Sequence, residues 1–456
     1  MNKKRATQQN EFILDKYKLS DKTYTNTYHR PEDLYVFLND YDNMNVFSLY
    51  PEMIVCPVDL HPNDRDANVH NVSYVIDQTN HSEIGAFQYR ITKMGNIYTK
   101  IKNKFNEYEG DDKQGFKEYA RLKKQYEGAK ISYYMHYHVI DAVRANLGQP
   151  DISNAWIKSY EILHTFKLVE QCTEDMFESF HICELPGGFV LALKWYIETH
   201  TTKTLNWIAQ SLNPYNQTNR QTMKGKYLPD QYNLAKNNKA NYDWGADNTG
   251  DITNVENIRY YHTKYGRTRD LVTSDCGQDA SDNFTEQETH LIKVYWGQFA
   301  CAMGLLRKGG SYFMKMFTVH TIKMIEIVWL ATLLFEQVQI VKPLKTTFMS
   351  GEVYMVCKGF RDIDTDKYLE HFYRYLEHFD AVNLVNLDII SDEFIEQLND
   401  CNVLMGKRRL VNINTQIFVT NNIGYYSKYP QIKRHIDNIV EYYTKYFCDY
   451  YNLTAR

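Results

Sequence analysis

The sequence predicts an α/β fold built on a mostly parallel sheet flanked by helices. Three observations carry that expectation. Between about residues 150 and 360, short β-branched and aromatic runs alternate with longer helical patterns, the rhythm of parallel strands joined by crossover helices. The 456 residues are 43% hydrophobic and 24% charged, the composition of a globular chain with a sizeable core. At His181-Ile-Cys-Glu-Leu-Pro-Gly-Gly-Phe189, an apolar run ends in a Pro-Gly-Gly turn, and Val190–Tyr196 continues as a helix. Such sheets use strand–turn–helix joins of this kind to hold ligands.

The chain divides into three parts. Residues 1–149 read as an N-terminal extension: polar to about residue 30, then short apolar runs (Leu34–Leu38, Met53–Val58), then a helical pattern over 88–147. That pattern carries Lys100, Lys102, Lys104, Lys117, Arg121, Lys123 and Lys124 among acidic residues. It fits a nucleic-acid-facing patch and a solvated helix face equally. Residues 150–360 hold candidate strands at Phe180–Leu185, Leu205–Ser211, Leu271–Asp275, Tyr312–Phe317, Val338–Val341 and Val353–Lys358. Thr285-Glu-Gln-Glu288 reads as a capping box opening a helix through about Leu306, and Gly309-Gly310 as the turn into the next strand. Met324–Val341 is apolar but interrupted by Glu326, Glu336 and Gln337, so it reads as a helix running into a strand rather than a membrane span. The Asn-rich stretch 213–250 is long for a loop, a length usually associated with function. Residues 361–456 read as a helical extension, with aromatics at Tyr368, Phe372 and Tyr375 and again at Tyr442, Tyr443 and Tyr446.

A net charge of −4 excludes a uniformly basic coat, so any nucleic-acid contact must use local patches. The eight cysteines show no CxxC pair, and several lie in apolar runs (Ile182-Cys183, Val356-Cys357), the usage of a reducing, intracellular compartment. MNKKRATQQNEF has charge but no following apolar segment, so it is not read as a signal peptide. His136-Tyr-His138 lacks metal-like companions, and no P-loop or Ser-His-Asp arrangement is visible. The 38 tyrosines are explained as readily by base composition of the gene as by base-stacking platforms.

On residues alone, Glu184-Leu-Pro-Gly-Gly-Phe189 serves equally as a structural turn or as a ligand loop. It resembles the cofactor loop of the FtsJ-type RNA 2′-O-methyltransferases, which reads A-P-G-G-F or A-P-G-G-W, and the resemblance covers roughly 150–360. It implies a Rossmann-like methyltransferase fold with a seven-stranded sheet and S-adenosylmethionine as cofactor. Pro186, Gly187, Gly188 and Phe189 would line its pocket, with the helix N-terminus facing the methionine carboxylate. Asp251, in Thr249-Gly-Asp-Ile252, resembles the family acid near the adenine. Where bacterial ribosomal members place an Asp after the second strand, Ile208-Ala-Gln-Ser-Leu212 has Ser211. That resembles the mRNA cap-methylating (adrift-type) branch.

Methyl transfer to a ribose 2′-OH is a displacement at a carbon already activated by a sulfonium, so the protein must position the hydroxyl, assist its deprotonation and exclude water. The family uses a Lys-Asp-Lys-Glu tetrad, and each member has a counterpart here. Asn154-Ala-Trp-Ile-Lys-Ser-Tyr-Glu-Ile162 resembles the helix that gives Lys158, with Lys167 as the fallback. Asp275 ends Leu271-Val-Thr-Ser-Asp275, and Lys315 lies in Phe313-Met-Lys-Met-Phe317, where a charge within an apolar strand is costly unless used. Glu352 opens the last strand in a run resembling K-P-x-x-S-R-x-x-x-S-E-x-Y-x-V-C-x-G-F. Here the usual Arg is missing, and Lys345-Thr346-Thr347 follow Leu344. In this reading Lys315, its pKa lowered in the closed site, orients and deprotonates the hydroxyl. Lys158 stabilises the alkoxide, and Asp275 and Glu352 position the lysines; Asp275 also touches the cofactor.

The resemblance thus implies a cap-proximal 2′-O-methyltransferase acting on capped RNA, with other capping or transcription proteins as partners and no membrane. Cap recognition would require aromatic stacking on the guanine. Tyr, Asn and Ile richness with this domain resembles relatives from large DNA viruses. A ribosomal or transfer RNA methyltransferase, and a catalytically silent capping subunit, are the alternatives.

Overall fold

The computed structural model describes residues 33–34, 53–60, 65, 75–76 and 135–454, apart from 224–229, 278–286, 347–349, 380–381, 384–388, 423–424 and 426–427. In chain order the elements are β1 (Ile54–Pro57), β2 (Val75–Ile76), α1 (Met135–Leu147), α2 (Asn154–Phe166), β3 (Met176–Ile182), α3 (Gly188–His200) and β4 (Thr204–Gln210). Short α4 (Gln217–Met223) and α5 (Leu234–Asn237) interrupt the Asn-rich stretch. Then come α6 (Val255–Tyr265), β5 (Arg269–Ser274), α7 (Gln287–Leu305), β6 (Leu306–Met316), α8 (Ile322–Leu334), β7 (Phe335–Lys342) and β8 (Val353–Phe360). The last elements are α9 (Thr365–Glu377), β9 (Val382–Asn383), α10 (Asp392–Asn421) and α11 (Pro430–Tyr450).

Seven strands form one sheet in the order β1-β7-β8-β6-β5-β3-β4, and β2 pairs with β9 separately. β4, β3, β5 and β6 are parallel; β8 runs against β6, and β7 against β8, so β7 resumes the common direction. Mostly parallel order, as the alternating pattern predicts, is the result. β1 comes from the stretch read as N-terminal extension, yet it joins the sheet: Ile54 to Pro57 pair antiparallel with Lys342 to Gln339. Its four residues end in Pro57, a brevity that blunts an exposed edge.

Local signals explain the main helices. Ser153 accepts a hydrogen bond from the Trp156 N–H and starts α2; Asn254 and Thr321 do the same for α6 and α8. Met324 through Leu334 are all buried, as an all-round apolar helix must be, and the stretch passes directly into β7. Gly309-Gly310 do not precede their strand. They lie inside β6, where Gly309 adopts a φ of 81° and the register with β5 shifts between Arg269 and Leu271. The pair sits in an irregular step, Leu306 to Ser311, opposite only Arg269 to Leu271, and regular pairing with β5 resumes directly after it. Glu288 serves a distant segment. Its buried carboxylate accepts the backbone N–H groups of His320 and Thr321 and sits 2.7 Å from His320 Nδ1, tying down the β6–α8 connection. Thr285 and the basic stretch Lys100–Lys124 lie outside the described residues.

Both sheet faces are covered. One core gathers α6, α7 and α8 with α9 and the first half of α10; the other gathers α1, α2 and α3 with α11. The helical extension after residue 360 therefore caps both sides of the sheet. Tyr368, Phe372 and Tyr375 are all buried, Phe372 against Trp296 and Phe299.

Candidate active site

Parallel strands deliver their last residues to one edge of the sheet, and a strand of opposite direction begins at that same edge. Asp275 follows β5, Lys315 is the penultimate residue of β6, and Glu352 immediately precedes the reversed β8. Lys158 reaches the same place from α2. Lys315 Nζ lies 2.5 Å from Asp275 Oδ1 and 3.2 Å from the Asp275 carbonyl oxygen. Lys158 Nζ lies 2.6 Å from Glu352 Oε1. The four side chains are 13–19% exposed, enough to touch a substrate while shedding most of their water. Lys167, by contrast, is exposed and caps the far end of α2 in a left-handed conformation.

Supporting bonds hold Glu352 in place. Tyr354 Oη donates to its carboxylate at 2.9 Å, and Lys342 Nζ donates to its carbonyl oxygen and to that of Ser350, both at 2.9 Å. Burial alone would raise the Glu352 pKa, but Lys158 and Lys315 outweigh it and pull the carboxyl down to about 2. Burial raises that of Asp275 against the pull of Lys315. Burial works to lower Lys315, yet Asp275 and Glu352 win and hold its ammonium above the ordinary lysine value. The expectation of a depressed Lys315 is therefore corrected: two facing carboxylates keep it protonated.

The turn at the end of β3 differs from the expected ligand cradle in an instructive way. Gly187 has a φ of 112°, and a Cβ there would stand 2.2 Å from the Leu234 side chain. One on Gly188 would meet Ala155 and Ser153 within 2.9 Å. Both glycines, which follow Pro186, are thus required by close packing against the Asn-rich stretch and the start of α2. The Phe189 ring is buried against Phe313 and Tyr354 rather than lining a pocket. The N-terminus of α3 is already capped from within the chain: Glu184 Oε1 accepts the N–H groups of Phe189 and Val190 at 2.7 and 3.0 Å. That position corrects the assignment of this helix end to a ligand carboxylate.

Glu184 was missed at first, although an acid closing a strand just before a glycine turn is a visible cue. Its other oxygen, Oε2, is buried and has no hydrogen-bond partner among the described residues. Burial, aided by the charge of Asp275, pushes its pKa up to about 8 against the two backbone donors. Ser211 follows β4 directly, and its carbonyl would collide with any Cβ on Gly250, which brings Asp251 alongside. Asp251 Oδ1 accepts the N–H and hydroxyl of Thr253, both at 2.8 Å. Three acidic side chains (Glu184, Asp251, Asp275) thus gather at the strand ends beside the lysine pairs. An unpartnered buried carboxylate oxygen among them suits a cationic ligand.

Residues 152–360 match the model described as FtsJ-like methyltransferase. The chain carries an FtsJ-like methyltransferase domain. A methyltransferase family implies S-adenosylmethionine as methyl donor, a cation whose charge fits this crevice. The FtsJ-like chain is 28% identical over 322 residues to the cap-specific mRNA (nucleoside-2′-O-)-methyltransferase 2 of Pongo abelii, covering 69% of this chain and 41% of that protein. It is 29% identical over 258 residues to a probable methyltransferase of African swine fever virus, covering 53% of this chain and 57% of the viral protein. An uncharacterised protein of Acanthamoeba polyphaga mimivirus is 31% identical over 309 residues, 66% of this chain and 37% of its own length. The matched segments thus span 37–57% of the length of these three relatives. No helix among the described residues is long and apolar enough to cross a membrane.

Proposed function

We propose that this protein transfers methyl from S-adenosylmethionine to the ribose 2′-OH of a cap-proximal nucleotide in mRNA. The observation that carries the proposal is the convergence of Lys158, Asp275, Lys315 and Glu352 in one partly buried cluster at the sheet edge. The names of the curated relatives and the small hydroxyl of Ser211 favour capped RNA over ribosomal RNA.

When bound, S-adenosylmethionine supplies a methyl group on a sulfonium. The chain does the rest. Lys315 donates a hydrogen bond that orients the attacking oxygen and steadies the negative charge growing on it. The Asp275 carboxylate, made more basic by burial and 2.5 Å from Lys315 Nζ, accepts a proton from Lys315 as Lys315 takes the one leaving the 2′-oxygen. Glu352 stays anionic and fixes Lys158, whose charge adds to the stabilisation. Glu184 and Asp251 hold the cationic cofactor. In this reading 150–360 is the methyltransferase domain, 1–149 and 361–456 are extensions of it, and the protein works inside the cell beside other capping or transcription proteins.

The test is labelled methyl transfer to short RNAs differing only in the cap. Incorporation into capped RNA at least tenfold above uncapped RNA is expected. Equal incorporation would move the reading to ribosomal or transfer RNA, and none with any RNA would overturn it.

A further inference from the structure

All eight cysteines are described, and six are buried; only Cys183 and Cys276 are partly exposed. Those two are also in contact. β3 and β5 run in parallel register, Ile182 opposite Ser274, and the Asp275 N–H donates to the Ile182 carbonyl at 3.1 Å. Both strands therefore leave the sheet side by side. Cys183 follows at a φ of 60°, and its thiol shares a hydrogen bond with that of Cys276. Glu184 and Asp275 are the adjoining residues, and a Cβ on Gly277 would lie 3.0 Å from Lys315 Nζ. Cys357 is fully buried in the apolar core, and Cys183 packs against that same core while keeping part of its surface exposed.

We propose that Cys183 and Cys276 are an oxidation site: a dithiol that peroxide closes to a disulfide, pulling Glu184 and Asp275 out of their cofactor-binding positions. Cys276 is the attacking sulfur, since the hydrogen bond from Cys183, and then Lys315, favour its thiolate against the burial that opposes it. The thiolate attacks a peroxide oxygen; the O–O bond breaks, hydroxide leaves as water, and Cys276 becomes a sulfenic acid. The Cys183 sulfur then attacks that sulfur. An S–S bond forms, the S–O bond breaks, and a second water carries off the Cys183 proton. Two thiols lose two electrons and two protons, and one peroxide becomes two waters. Closing an S–S bond of about 2.0 Å draws the two sulfurs together at the strand ends, where Glu184 and Asp275 are bonded directly to Cys183 and Cys276.

The chain contains its own control. Cys56 on β1 and Cys401 on α10 are also hydrogen-bonded, but each is 5% exposed. Purified full-length protein is treated with hydrogen peroxide, its free thiols are blocked, and the digest is analysed by mass spectrometry. S-adenosylmethionine binding is measured by calorimetry in parallel. The expected result is a cross-link joining the peptides of Cys183 and Cys276, with Cys56 and Cys401 still reduced. Cofactor affinity should fall at least tenfold and recover with dithiothreitol. Cys183→Ser, checked by thermal melting and backed by Cys183→Ala, should give no cross-link and lose a smaller fraction of its own affinity. Absence of the cross-link, or a cross-link that leaves affinity unchanged, would overturn the proposal. The consequence for the cofactor rests on the reading of this crevice given above. The cross-link does not, so failure of methyl transfer to capped RNA would leave the thiol chemistry separately decided.

Discussion

Lys315 is held protonated by Asp275 and Glu352, and its chemistry depends on those two partners. Replacing it with Ala removes the donor aimed at the attacking oxygen. Methyl transfer should fall by about 10²–10⁴-fold, the usual span for loss of a positioned acid–base group. S-adenosylmethionine binding should stay within a few-fold; calorimetry and single-turnover assays separate the two. Asp275, Lys315 and Glu352 were legible because each sits where a strand meets the sheet edge and carries a distinctive flanking motif. Lys158 was less so, since a lysine on an amphipathic helix has many innocent explanations; its contact with Glu352, 194 residues away, distinguishes it from Lys167. Gly187 and Gly188 were legible as required glycines, but not for the right reason. Sequence does not show that Leu234 and Ala155 fill the space beside them.

Glu184 supplies a second test at this scale. Its raised pKa, about 8, means that it is largely protonated near neutral pH, and a cation seated beside it favours the ionised form. Cofactor binding at pH 7 should therefore release a proton. Calorimetry in buffers of differing ionisation enthalpy would detect the release, and Glu184→Gln should abolish it. The same release in that variant would count against the assignment.

At the scale of elements, the β6–α8 connection is held by Glu288 and His320. Burial works to lower the His320 pKa, but Glu288 raises it above 6.5. Stability from this pair is then fully present below pH 6.5 and is lost as pH rises through the elevated folded value. Thermal melts from pH 5.5 to 8.5 should show that decline in the native protein, and Glu288→Gln should flatten it. This tie was not legible as such. The Thr-x-x-Glu pattern suggests a local cap, whereas the carboxylate serves a segment 30 residues later. Irregular steps within a strand are equally hard to read, because Gly309-Gly310 looks the same in a turn as in a strand. Alternation of strands and helices, carried by many residues at once, survives such local errors.

Over the whole molecule, the sheet presents two apolar faces, and the extension after residue 360 helps to cover both. α9 and α10 pack on α7 and α8, whereas α11 packs on α1 and α2. Glu161, one turn beyond Lys158, accepts the N–H groups of Leu344 and Lys345 at 2.8 and 2.9 Å, and Tyr451 Oη donates to it at 3.4 Å. The C-terminal segment is thereby joined to the helix that carries Lys158. A chain ending at residue 360 should bind a hydrophobic dye strongly and lack near-ultraviolet circular dichroism; a native-like spectrum would show that the extension is dispensable for the core. Phe372→Ala, which opens a void between Trp296 and Phe299, should cost about 3–5 kcal/mol in denaturant unfolding.

The most direct test of the central claim is methyl transfer to capped RNAs carrying a 2′-deoxyribose at the first, the second or both transcribed nucleotides. Removing the acceptor hydroxyl at one of those positions should abolish incorporation, while removal at the other should leave it nearly intact. Methylation that persists when both positions are 2′-deoxy would place the acceptor elsewhere and contradict the account.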